Sequence, residues 1–348
     1  MTLFILASLM LLVFFGTLYQ AEHGLYLAQK KFFDSLIIID GFLVLPGVVL
    51  IMWLAFINLM AFLIFKFHYS WSKFGLFISH LGLVTLLLGG FYTLCYSKES
   101  LITIREGEQT NMAADYYKWQ VRIVEKSLET IIPFEIDSKN LADSVKASFQ
   151  KALPTLRFEK FHPNGQVFET PFAGTIAKEL PLAKDFEQNQ PLLIFTDIQS
   201  KEKVYLDDFN YKVLTSKNTD GTLNQMILER VVSELPISIR LEDVRRDLHP
   251  NTQVAKAYAS TISVLDEGSK LSRKVEVSMN KPFRYKDYTF FQSSYGIDSD
   301  GQEFSSFAVV KNAGRLVPYI ASFLTTLGLV IHFIMQFLKF SRQRSLGG

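Results

Sequence analysis

The apolar residues of this 348-residue chain are not spread along it. They crowd the first 96 or so positions and return at 317–338, while the roughly 220 residues between carry ordinary charge density and strand-like alternation. A chain so divided must satisfy two solvents, because a run of about 20 apolar residues is what a hydrocarbon layer ~30 Å thick demands of a helix rising 1.5 Å per residue. The overall 49% hydrophobic content averages over both parts. The expected fold is a membrane protein: four transmembrane α-helices plus a large exported mainly-β domain.

The first apolar run, Leu3 to Leu18, reaches a full span with Tyr19, giving a helix over 3–19. A cleaved signal peptide would want a basic start, which Met1-Thr2 does not supply. Leu36 to Phe65 is longer than one crossing and is broken by Asp40, Gly41, Pro46 and Gly47. The reading is an interfacial or re-entrant stretch near 34–45 and a second span over 46–65. A short basic and aromatic turn, Lys66 to Lys73, leads into the third span, 74–96, whose Gly75, Gly82, Gly89 and Gly90 offer small faces for close helix packing. The fourth span, 317–338, opens at Pro318, suited to a first helical turn, and a basic tail covers 339–348.

Lysine and arginine near span ends set the orientation. Lys66, Lys73, Lys339, Arg342 and Arg344 share one face if there are four spans, and no acid accompanies them, whereas the 20–35 loop mixes Glu22 and Asp34 with Lys30 and Lys31. The turn and the C-terminus are therefore expected in the cytoplasm, and the 97–316 domain on the other side of the cell (inner) membrane. Within it, strands are expected at 101–104, 119–124, 211–214, 237–241, 257–265, 275–278, 288–295 and 303–310, where apolar and polar residues mostly alternate with the period of a half-buried strand. Glu106-Gly107, Pro163-Asn-Gly165, Asp220-Gly221, Glu267-Gly268 and Asp300-Gly301 supply turns. Leu141, Val145 and Phe149 at helical spacing predict one helix over 137–151.

Several function classes find no support. A net charge of +2 without a clustered basic face argues against nucleic acid. Cys95 is the single cysteine, so no internal disulfide and no CxxC can form. There is no GxSxG, Walker loop or HExxH, and His162 and His249 alone are too few for a metal cage in the exported domain. Trp53, Trp71 and Trp119 do not cluster into a Trp-rich haem-handling motif. The unusual residue is His80, an ionisable side chain inside the third span and so either a functional group or an imidazole hydrogen-bonded between helices. His80 lies seven residues inward from Lys73 and His332 seven inward from Lys339, so both are expected about 10 Å from the cytoplasmic boundary. If spans three and four face each other, two imidazoles at one level could clamp a haem iron. His332 alone, like His68 and His23 near span ends, reads as an interface residue.

Phe56-Ile-Asn-Leu59, Trp71-Ser-Lys-Phe-Gly75, Ser79-His-Leu-Gly-Leu83, Leu88-Gly-Gly90 and Glu106-Gly-Glu108 resemble the ResB (CcsB) family of System II cytochrome c biogenesis. So do Phe158-Glu-Lys-Phe161, Asp243-Val-Arg-Arg-Asp-Leu-His-Pro250, Ser278 to Tyr285, Tyr288 to Gly296, and Arg315 to Ala321 leading into the last span. The resemblance covers nearly the whole chain and implies the same layout of three spans, an exported β domain and a fourth span. It implies a non-catalytic or partial subunit of a haem lyase complex that helps export haem b, bound transiently, and presents it for attachment to CxxCH apocytochrome c. It also implies a Trp-rich ResC/CcsA-type membrane partner and thiol-reducing proteins of the same pathway. Only His80 matches a functional position of the family, the axial haem ligand of the third span, whose counter-ligand belongs to the partner. His332 as second ligand is suggested by depth and not by the resemblance. Asn251 stands where relatives often have Gly, and the ResC-like half that some relatives carry fused is expected as a separate chain. A rival function is a membrane-anchored scaffold that stabilises the partner without binding haem.

Overall fold

The structure, a computed structural model, describes residues 1–41, 43–125, 128–136, 140–170, 174–207, 214–217, 223–248, 255–266 and 271–346. The chain begins with helix α1 (Thr2–His23) and a single turn α2 (Leu25–Ala28), which widens into a π-turn over Gln29–Phe33. The stretch expected at the interface is a hairpin of β1 (Ile37–Asp40) and β2 (Leu43–Pro46), turning at Gly41 with φ 62° and held back by Lys31, whose Nζ is 3.0 Å from Asp40 Oδ2. Helix α3 (Val48–Ala61) ends in a second π-turn, Phe62–Lys66, and a 3-10 turn at Trp71–Lys73 starts α4 (Phe74–Tyr96).

The domain follows: β3 (Lys98–Arg105), β4 (Gln109–Glu125), β5 (Leu128–Glu135), α5 (Asp143–Ala152), β6 (Leu156–His162), β7 (Gly165–Thr170), β8 (Gly174–Glu179), β9 (Leu192–Asp197) and β10 (Lys203–Leu206). Then come β11 (Leu214–Lys217), β12 (Leu223–Leu248), β13 (Ala255–Asp266), β14 (Leu271–Ser278), β15 (Phe283–Tyr285), β16 (Tyr288–Ile297) and β17 (Glu303–Lys311), before helix α6 (Val317–Leu346). Four helical segments, Thr2–His23, Val48–Lys66, Trp71–Tyr96 and Val317–Gln343, are long and apolar enough to cross a membrane. The last helix continues past Leu338, because Lys339 to Arg344 contains good helix formers and nothing that breaks one.

All named strand pairs are antiparallel, and the main sheet runs β14-β13-β12-β4-β3-β17-β16-β15. It curls until its flanks touch: Ser260 Oγ on β13 donates to Ser305 Oγ on β17 at 2.8 Å, and Tyr258 Oη donates to the Ser293 carbonyl on β16 at 3.0 Å. Ile102, Ile237, Leu241, Ile262, Phe290 and Phe307 fill the space so enclosed. Two strands outrun this lobe. The second half of β4 pairs with β5, and the first half of β12 with β11 and β4, over a separate core of Trp119, Phe134, Phe149, Phe195 and Leu228. The β10-β9-β6 sheet and α5 cover that core.

Tyr26 of α2 belongs to this second core. It stacks on Tyr117 at 3.9 Å and on Phe186 at 4.3 Å, while Lys184 Nζ donates to the Ala21 carbonyl at 2.8 Å. The end of α1 is thus fixed to the domain. Burial pushes the Tyr117 phenol up to about 12, and the carboxylates of Glu187 and Glu99 push in the same direction.

The expected strands at 101–104, 119–124, 237–241, 257–265, 275–278, 288–295 and 303–310 all lie within strands. Of the strand at 211–214, only Leu214 lies among the described residues, where it opens β11; Asp220-Gly221, Glu267-Gly268 and His249 lie outside them. The expected 137–151 helix begins at Asp143, and its first three residues lie outside the described set.

Candidate functional site

The four long helices stand in a row, with α1 on α3, α3 on α4, and α4 on α6. The α4–α6 seam is backbone against backbone. A Cβ added at Gly75 would lie 2.4 Å from the His332 nitrogen, one at Gly82 2.7 Å from the Thr325 nitrogen, and one at Gly328 2.4 Å from the Ser79 nitrogen. Ser79, buried in the seam, turns its hydroxyl to the carbonyls of Gly75 (3.2 Å) and Thr325 (3.1 Å).

His80 follows Ser79, so it points about 100° away from the seam, towards α3. There Phe62 stacks on the imidazole with centroids 5.3 Å apart, and Phe67 lies 6.1 Å away. The Nδ1 atom is 2.7 Å from the Leu76 carbonyl, a group that only accepts, so Nδ1 carries the proton. The ring is then the tautomer whose Nε2 has an in-plane lone pair, and Nε2 makes no hydrogen bond among the described residues. A backbone carbonyl on the remote ring nitrogen is also the usual support for a metal-ligating histidine. The residues present therefore fit an axial imidazole for a haem iron, with Phe62 covering a ring face and leaving the ligating edge open.

The expected equal depth of the two histidines is not what the seam gives. Glycine contacts fix the register: Gly75 meets His332, Ser79 meets Gly328, and Gly82 meets Thr325. His332 is therefore opposite a residue five positions before His80, about 7.5 Å along the helix axis from the level of His80. Counting from the terminal lysines failed because α6 extends further than α4 on that side. The Nδ1 of His332 is buried without a hydrogen-bond partner. His23 is exposed and stacked on Tyr19, His68 is exposed in the α3–α4 turn, and His162 is buried with Nδ1 3.1 Å from Glu179.

Two features had no sequence signal. The π-turn of α3 sends the Phe67 amide to the Phe62 carbonyl at 2.9 Å, which frees the Leu63 carbonyl to accept from Tyr69 Oη at 2.8 Å. This extra residue in the turn sets Phe62 on His80. Such insertions concentrate at functional sites, but they leave no mark in apolar periodicity. Among the described residues, no group of three His, Cys, Asp or Glu side chains is arranged to hold a bare metal ion.

The helices and the site define a class: a β domain carried on membrane-type helices, with a histidine presented from an apolar groove. Comparison with known proteins narrows it. The ResB-like family model matches residues 208–302. Protein NrfI of Wolinella succinogenes is 25% identical over 266 residues, which is 73% of this chain and 26% of the relative. The chain thus spans about a quarter of the length of the curated relative it matches. The chain is thus similar to the ResB-like family over residues 208–302 and to NrfI over 73% of its length.

Proposed function

We propose that this chain is the membrane subunit of a System II cytochrome c maturation complex, helping to carry haem across the cell membrane and present it with apocytochrome c for covalent attachment. The family match supports a role in cytochrome c biogenesis, and the state of His80 is the observation that carries the rest. Its proton is held at Nδ1 by Leu76, and Nε2 is free at the edge of an aromatic groove. A neutral imidazole so prepared gives iron an axial ligand while the groove gives the porphyrin an apolar contact. Haem is the cargo in this reading.

The open row of helices leaves room for a ResC/CcsA-type partner to approach His80 and supply the counter-ligand from its own spans. No acid occurs between Asp40 and Glu99 or after Glu303, so the Lys66–Lys73 turn and the end of α6 favour the cytoplasmic face, with the domain exported. The domain would then hold apocytochrome c, kept reduced by the thiol-reducing proteins of the pathway.

The test is His80→Ala in cells, scored as covalently bound haem in c-type cytochromes, with and without imidazole in the medium. Loss and partial restoration are expected; unchanged maturation would reject the site. His332→Ala is expected to leave maturation intact, and a loss equal to that of His80→Ala would make His332 the second ligand. Absence of a Soret band from the purified chain, alone and with its partner, would leave the scaffold reading.

A further inference from the structure

The turn between α3 and α4 forms an open cavity of about 400 Å³, lined by Phe67, Tyr69, Ser70, Trp71, Phe74 and Phe77. That volume falls in the range of small-molecule sites, about 300–1,000 Å³. Five of its six walls are aromatic, yet Trp71 is 81% exposed and Tyr69 63%. Apolar rings gathered and left uncovered in this way mark a surface that meets a membrane or a ligand.

The cavity borders the His80 groove. Phe67 is common to both, with its ring 6.0 Å from Phe77 and 6.1 Å from His80. A membrane-interface belt needs only scattered Trp and Tyr. Here the turn is braced by the π-turn of α3 and by the bond from Tyr69 Oη to the Leu63 carbonyl. Charge narrows the occupant. Lys66 and Lys73, both exposed, adjoin the lining residues Phe67 and Phe74, and no Asp or Glu occurs from 41 to 98. The complementary ligand is flat and apolar with an anionic edge.

We infer that this cavity receives a carboxylate-bearing porphyrin before it reaches His80. The inference rests on the reading of His80 as the haem ligand and adds where the cargo docks first. The ring lies against Trp71 and Phe74, which are tilted 53° to each other, and its carboxylates meet Lys66 and Lys73. Ligation of iron is not required there: the Tyr69 hydroxyl is committed to Leu63, and Ser70 Oγ lies 3.1 Å from Ser72 Oγ. The cavity should accept an iron-free porphyrin as readily as haem, a property that a His80 site alone does not confer.

The test uses the full chain in nanodiscs of uncharged lipid, with iron-free protoporphyrin IX as the probe, its fluorescence titrated against empty nanodiscs. Saturable binding is expected, about fivefold weaker for each of Lys66→Gln and Lys73→Gln, and weaker again for Trp71→Ala. No binding above empty nanodiscs, or equal affinity in the lysine and Trp71 variants, would overturn the cavity; an interfacial aromatic belt gives that result. Haem, titrated in parallel, separates the two ideas. A low-spin spectrum that depends on His80, in a protein that ignores iron-free porphyrin, overturns the cavity and leaves the ligand. Porphyrin binding sensitive to the lysines, together with a haem spectrum indifferent to His80, does the reverse.

Discussion

Helix α4 presents two faces built on opposite rules. Towards α6 it offers Gly75, Ser79 and Gly82, where the helices touch backbone to backbone, and Gly89, which receives the Val317 side chain. Towards α3 it offers Phe91, stacked on Trp53 at 4.2 Å, and His80 beneath Phe62. The first face has no room for an added atom; the second is made of side chains that leave His80 partly accessible. Small residues hold membrane helices together by close contact, where lipid provides no hydrophobic drive for association. The contrast teaches that one helix can be locked on one side and left adaptable on the other, with the chemical group on the adaptable side.

The strongest way to break this contrast is Gly75→Leu. The new side chain meets the His332 and Gly328 backbones, which cannot swing aside. Equilibrium unfolding in mixed micelles should show a loss of about 3 kcal/mol, the upper part of the usual overpacking cost. Trp53→Ala on the opposite face should cost less, about 1 kcal/mol in the same assay, since it removes a half-exposed aromatic stack. A Trp53→Ala loss as large as that of Gly75→Leu would erase the distinction. Ser79→Ala keeps the seam's shape and deletes its hydroxyl bonds, so a loss of about 0.6 kcal/mol is expected.

The smallest effect sharpens the comparison through pH. The Tyr117 phenol is raised from 10.0 to about 12, so the folded state favours the neutral form. That contribution is complete below pH 10 and lost as pH climbs towards 12. Tyrosinate absorbance and proteolysis near Ala21 should report the Tyr26–Tyr117–Phe186 joint loosening in this window, while a cross-link across the α4–α6 seam forms as before.

The helices and the curled sheet were legible because each carries one clean period: long apolar runs for the helices, alternation for strands such as β13 and β16. The second lobe was not. Leu192 to Phe195 of β9 is buried throughout and reads as a short continuous apolar run, which periodicity cannot assign. β5 contains Pro133, a residue that counts against a strand. His80 was readable as an ionisable residue in an apolar span. Its tautomer, the Phe62 cover and the position of His332 were not, since they follow from a π-turn and a glycine-set register that exist only once the helices meet.

The pairing of β3 with β17 has a consequence for synthesis. These strands are the first and last of the domain, and they continue into α4 and α6, which also meet. Lys98 pairs with Lys311, 213 positions further on (311 − 98), and all of these must be made first. At about 5–20 residues per second, the early half waits roughly 10–40 s for its partner. During that interval one edge of β3 and the glycine face of α4 are both unsheltered, so the newborn chain is at its most vulnerable to misassembly shortly before it is finished.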